Sequence, residues 1–150
     1  MNKAFVREPD AQQRPQCPRC GSCGTEVGDT TLAAMLLPAA RRRLGDIAWF
    51  CSVPVCEVAY FDLFERLVTT DELTRAVFPK DPTAPVCPCF GVTQDEIEAD
   101  AQAGVTDRVR QLLERGQSSE ARCATCSPTG RGCGPDVQRV FMRVWSTRDR

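Results

Sequence analysis

Residues 51–61 read Cys51-Ser52-Val53-Pro54-Val55-Cys56-Glu57-Val58-Ala59-Tyr60-Phe61, and residues 46–50 before them read Asp46-Ile47-Ala48-Trp49-Phe50. Asp46 to Cys51 and Glu57 to Asp62 are rich in β-branched and aromatic side chains, which suit a pleated, half-buried surface. The pattern predicts two short strands joined by the Cys51 to Cys56 turn, a hairpin that presents both sulfurs to one point. Upstream, Cys17-Pro18-Arg19-Cys20-Gly21 places two residues between a second pair of thiols, and Gly21 allows the tight turn that follows. Four thiolates at about 2.3 Å from one ion form the closed tetrahedron of structural zinc, and a single iron suits the same donors. Cys17, Cys20, Cys51 and Cys56 are therefore the expected zinc ligands. Cys23 is surplus and receives no role; buried thiols acting as small apolar side chains are the alternative for the whole set.

A second group follows at Cys87, Cys89, Cys123, Cys126 and Cys133. Cys87-Pro88-Cys89 leaves one residue between thiols, too close for the usual zinc knuckle but suited to both sulfurs of one iron in a binuclear cluster. After 33 intervening residues comes Cys123-Ala-Thr-Cys126-Ser-Pro-Thr-Gly-Arg-Gly-Cys133. Four cysteines suffice for a 2Fe-2S cluster, and the glycines let backbone N–H groups approach the sulfur atoms. Five candidates compete for four places.

The rest of the chain arranges these groups. Thr30 or Thr31 caps a short helix through Leu37, and Pro38 fits the first turn of another that Gly45 ends. The DELTRAVF stretch, residues 71–78, suits a third strand or a helical turn, and strand is the preferred reading. Pro79, Pro82, Pro85 and Pro88 exclude helix and favour an extended linker. Thr93 with Glu96 is a capping box and Gly104 a stop; Thr106 opens a second helix that Gly116 closes; a third begins near Pro135. Val109, Leu112, Val140 and Phe141 are expected core, Trp49 and Trp145 packing residues, and Arg41-Arg42-Arg43 a solvated helical face. The expected organisation is a loose terminus over 1–14, a zinc module over 15–80, a proline-rich linker over 81–86 and a cluster module over 87–146. The fold class is α+β, a small zinc-stabilised α/β module followed by an all-α module of three short helices.

Composition narrows the function. The chain has 150 residues, ten cysteines and no histidine, so common histidine-based acid-base chemistry is closed to it and sulfur carries whatever chemistry there is. The formal charge is -1 and both halves are balanced, with ten basic and ten acidic residues through Lys80 and nine and ten after it. Nucleic-acid binding by bulk charge is not expected. The amino terminus lacks a secretory apolar region, and Leu32 to Ala40, interrupted by Pro38, is too short to span a bilayer. No membrane association and a cytoplasmic location are expected, where close-spaced cysteines more often hold metal than form disulfides. No hydrolase or transferase site is visible.

Cys-x-Cys followed about thirty residues later by further cysteines, with two short helices between, resembles the 2Fe-2S domain of bacterioferritin-associated ferredoxins and nitrogen-fixation scaffold proteins. With CPRCG and CSVPVCEVAYF upstream, Cys17 to Val144 resembles the amino-terminal zinc and 2Fe-2S domain of CopZ-type copper chaperones. The resemblance implies a 2Fe-2S cluster on Cys87, Cys89, Cys123 and Cys133. Ser127-Pro128-Thr129-Gly130 aligns with the Asn-Pro turn before the last ligand of that pattern, whereas the simpler ferredoxin ending would select Cys126. It further implies one-electron transfer in copper or heavy-metal homeostasis, supporting reduction of Cu(II) to Cu(I) for delivery to a chaperone, with a metal-reductase activity and a reductase as electron donor. The Cu(I)-binding domain of such chaperones is not found before Arg150. The alternatives are a ferredoxin-like donor to another enzyme and a non-redox thiol module for metal sequestration or cluster assembly. Two separate modules imply that Cys20→Ser unfolds the first half while leaving much of the iron in place.

Overall fold

The computed structural model describes residues 14–148. The loose terminus expected over residues 1–14 lies, apart from Arg14, outside the described residues. Strands β1 (Thr25–Val27), β2 (Ala48–Phe50), β3 (Val58–Phe61) and β4 (Leu67–Thr69) form an antiparallel sheet in that order. The expected hairpin is β2 and β3, with Trp49 opposite Phe61 and Phe50 opposite Tyr60. Every β3 side chain is buried, which explains its uninterrupted apolar run. Tyr60 enters the main core with Leu32 and Met35. Val58 and Phe61 instead join Cys17 and Cys51 in a small cluster, and Trp49 packs against it.

Helices α1 (Asp29–Met35) and α2 (Pro38–Arg43) complete the first module. Neither Thr30 nor Thr31 is the cap: Gly28 holds that position, and Thr31 lies buried inside α1. The arginine triplet is also more than a solvated face. Arg41 donates to the Leu44 and Gly45 carbonyls at 3.3 and 3.1 Å and pairs with Asp29. Arg43 pairs with Glu72 at 2.7 Å. Cations there satisfy the carbonyls and the negative end of a short helix.

The strand expected over residues 71–78 does not form. β4 lies upstream, and the chain then makes a 3-10 turn at Thr70–Glu72. The Glu72 carboxylate accepts from the Thr69 amide at 3.2 Å while holding Arg43, so side chains bend the backbone before a ladder can extend. Nor is the proline-rich segment extended. The Asp81 amide donates to the Val77 carbonyl at 2.9 Å, and the Asp81 carboxylate accepts from the Thr83 amide at 2.9 Å, folding the chain into turns. Val77 packs into the first core and Val86 into the second.

The second module contains α3 (Gln94–Ala103), α4 (Asp107–Arg115), α5 (Cys123–Cys126) and α6 (Gly134–Trp145), four helices instead of three. The additional one, α5, is a single turn too short to leave an apolar period. Thr93 caps α3 as a capping box, and Gly104 closes it at φ +73°. Ile97 and Ala101 of α3 meet Val137, Val140 and Phe141 of α6, with Val109 and Leu112 of α4 beside them. Among the described residues no helix is long and apolar enough to cross a membrane.

Candidate metal centres

The first knuckle is closed by its own backbone. The Cys17 amide donates to the Ser22 carbonyl at 2.8 Å, and the Gly21 amide donates to the Cys17 carbonyl at 2.8 Å, with Gly21 at φ +76°. The second is held by the sheet: the Cys51 amide donates to the Ala59 carbonyl at 2.9 Å, and the Cys56 amide closes a turn on Val53 at 3.2 Å. The sulfurs of Cys17, Cys20, Cys51 and Cys56 consequently lie within 4.8 Å of one another. The closest pairs are Cys20 with Cys51 at 3.5 Å and Cys17 with Cys56 at 3.9 Å. Sulfurs about 2.3 Å from a central tetrahedral ion are separated by about 3.8 Å, so the set fits Zn2+.

Lys80 was not apparent from sequence as part of this site. Its ammonium donates to the Val53 and Cys56 carbonyls at 2.7 and 2.9 Å, fastening the second knuckle from 24 residues beyond Cys56. No local pattern encodes so distant a contact. Hydrogen bonding to Ser22 lowers the exposed Cys20 thiol to about 6, whereas burial pushes Cys51 up to about 12 and raises Cys56. Entry of a cation therefore has to expel protons from the inner thiols. Cys23 is exposed, opposite Gln16 in an isolated bridge, and stands outside the four-sulfur set.

The second group has a different shape. Cys87 and Cys89 sit on one tight turn in which the Gly91 amide donates to the Cys87 carbonyl at 2.8 Å. Cys123 and Cys126 bracket α5, and Cys133 caps α6. The Cys-Pro-Cys turn meets the later loop. The Sγ of Cys89 is 3.9 Å from that of Cys123, and Cys87 and Cys133 are both buried in the second core. The Cys133 contact lowers the Cys87 thiol to about 6, while the same contact and burial raise Cys133. The Arg122 amide donates to Cys89 Sγ at 3.3 Å. Cys126 belongs to neither pair. Arg115 stacks over Phe90 at 4.1 Å and contributes positive charge near Cys87.

Comparison with known proteins finds relatives of this geometry. The sequence model of the CopZ zinc-binding domain family matches residues 14–74. That segment is similar to the CopZ-type zinc-binding domain, and its four-cysteine cluster supports Zn2+. The copper chaperone CopZ of Archaeoglobus fulgidus is 25% identical over 130 residues, which cover 86% of this chain and 63% of that protein. The chain thus spans somewhat less than two thirds of that relative's length. The crystal structure of the amino-terminal domain of Archaeoglobus CopZ superposes with a TM-score of 0.68 at 26% identity, covering 84% of this chain and 97% of that domain. This structural homology extends well beyond residue 74 into the helical module.

Proposed function

We propose that the chain is a zinc-supported one-electron carrier in copper or soft-metal homeostasis, with a 2Fe-2S cluster on Cys87, Cys89, Cys123 and Cys133. The observation that carries this reading is that one turn and one loop bring Cys89 Sγ to 3.9 Å from Cys123 Sγ and bury Cys87 and Cys133 in the same core. A mononuclear site would favour a single four-sulfur knot like that of Cys17, Cys20, Cys51 and Cys56. Cys133, buried in the same core as Cys87, is accordingly favoured over Cys126.

When bound, a 2Fe-2S cluster accepts and donates one electron. The chain's own groups tune and shield it. The Arg122 amide stabilises anionic sulfur at Cys89, and Arg115 offsets negative charge near Cys87. Cys87 and Cys133 are buried, whereas the Cys89 and Cys123 side is partly open and offers a route to a partner or a metal ion. Two four-thiolate sites carry about -2 each, drawing the protein below its formal charge and favouring cationic substrates. In this role Cu(II) takes one electron and leaves as Cu(I), the state soft thiolates prefer, while a reductase resupplies the electron.

The test is metal and acid-labile sulfide analysis of anaerobically purified protein, followed by electron paramagnetic resonance after dithionite reduction. Two irons, two sulfides and one zinc per chain, with a signal from the reduced protein, are expected. Colourless protein that cannot be reconstituted overturns the reading and favours a thiol module for sequestration. Stopped-flow oxidation by Cu(II), measured against an iron-storage acceptor, separates copper handling from a general ferredoxin role.

A further inference from the structure

The loop between Cys123 and Cys133 is fastened by side chains of the other module. α1 packs along α5, and Thr31 of α1 donates its hydroxyl to the Ala124 carbonyl at 2.6 Å. Four residues further along, the Tyr60 hydroxyl of β3 donates to the Pro128 carbonyl. Both donors are buried, as are Ser127 and Pro128. The buried Pro128 carbonyl needs such a partner, and the Ala124 carbonyl gains one. A four-residue helix cannot satisfy its last carbonyls internally; only that of Cys123 is taken up locally, by the Ser127 amide at 3.0 Å. Gly130 completes the fit: it has φ +72°, and a Cβ built there would overlap Thr31 Oγ1. The loop is thus gripped twice and pressed closely against α1, between its first and last cysteines.

Tyr60 is tied to the zinc site, and Thr31 to Tyr60. Tyr60 follows Ala59, whose carbonyl accepts the Cys51 amide at 2.9 Å, and it stands opposite Phe50, the residue before Cys51. Thr31 precedes Leu32, which shares a core with Tyr60. One β-ladder step therefore separates a zinc-site sulfur from the phenol that holds the cluster loop. We infer that Thr31 and Tyr60 are positioning residues for residues 123–133, and that through them metal occupancy of the first site governs retention and geometry of the second. This rests on the cluster reading above, and it adds a direction of control: the zinc module acts as a template for the iron site.

The test uses the full-length holoprotein. Tyr60→Phe removes one hydroxyl, Thr31→Val removes the other, and Thr31→Ser restores it. For the first two, zinc content and the circular dichroism spectrum are expected to match the parent. Iron release to a ferrous chelator should accelerate about tenfold, the scale on which outer-shell hydrogen bonds act on metal sites. The reduced protein should show altered g-values, and Thr31→Ser should return both readouts to the parent's. Zinc withdrawal from the unmutated holoprotein should accelerate iron release similarly. Parental release rates and g-values in Tyr60→Phe and Thr31→Val overturn the positioning role. Unchanged iron retention after zinc withdrawal overturns the control. Parent protein without iron and sulfide would instead refute the cluster reading itself. If Thr31→Val fails to fold, Tyr60→Phe and zinc withdrawal still decide the question.

Discussion

Lys80→Met isolates the contribution of the ammonium that fastens the second zinc knuckle. In the parent protein Lys80 Nζ donates to the Val53 carbonyl at 2.7 Å and the Cys56 carbonyl at 2.9 Å. Hydrogen bonds from a charged donor contribute about 1.5–3 kcal/mol net each when well shielded. Lys80 is only partly buried, and screening reduces the pair together to about 2 kcal/mol. The ammonium also faces a site that carries about -2 when its thiolates hold zinc, so its loss weakens the metal-bound state more than the free one. At about 1.4 kcal/mol per decade, zinc affinity should fall about thirtyfold. Methionine keeps most of the aliphatic length, which limits the packing change. The assay is competition with a chromophoric zinc chelator at fixed pH and at two ionic strengths, with circular dichroism as a check on folding. A deficit that persists in high salt identifies the hydrogen bonds, and one that vanishes identifies long-range charge. Folded Lys80→Met with parental zinc affinity at both ionic strengths would refute the reasoning.

Three further outcomes are expected. Burial holds the Cys51 thiol at about 12 and raises Cys56, so zinc must displace their protons; apparent zinc affinity should rise steadily between about pH 6.5 and 8.5, and a flat competition profile would contradict this. Gly24→Ala would place a methyl 2.6 Å from both the Phe61 ring and Trp49 Cβ, costing about 1–3 kcal/mol by overpacking; urea unfolding of the zinc-loaded protein measures it, and an unchanged midpoint would count against the packing. Cys133→Ser should lower bound iron, whereas Cys126→Ser and Cys23→Ser should leave iron and zinc at parental levels; iron loss in Cys126→Ser alone would transfer the fourth ligand position to that residue.

Signals that depend on near neighbours were legible in the sequence. The β2–β3 hairpin followed from its aromatic and β-branched runs, and α3 from Thr93, Glu96 and Gly104, because each signal lies within the element it specifies. What was not legible depends on contacts across the chain. Residues 71–78 have strand-like content, but Glu72 is claimed by Thr69 and by Arg43, 29 residues earlier. Thr31 has the composition of a cap and instead donates to Ala124, 93 residues away. The spacing of Cys87-Pro88-Cys89 marks a ligand pair, but that Cys89 meets Cys123 across 33 intervening residues is set by the fold of the later loop.

The expectation that Cys20→Ser would unfold the first half and spare the iron treats the modules as independent, and their contacts argue otherwise. Structural zinc contributes about 10–16 kcal/mol to small domains, so losing a ligand threatens the sheet that carries Tyr60. The Ala124 and Pro128 carbonyls would then lose their donors together, at about 1–3 kcal/mol for the buried Pro128 carbonyl left unpaired and less for that of the exposed Ala124. Water can reach a loosened loop and repay part of that cost, but it cannot restore the spacing of Cys123 and Cys133 that α1 and β3 impose. Cys20→Ser should consequently lose iron along with zinc, and the two losses should share one time course. Iron retained after complete zinc loss would show that the helical module holds its cysteines in place without help from the sheet.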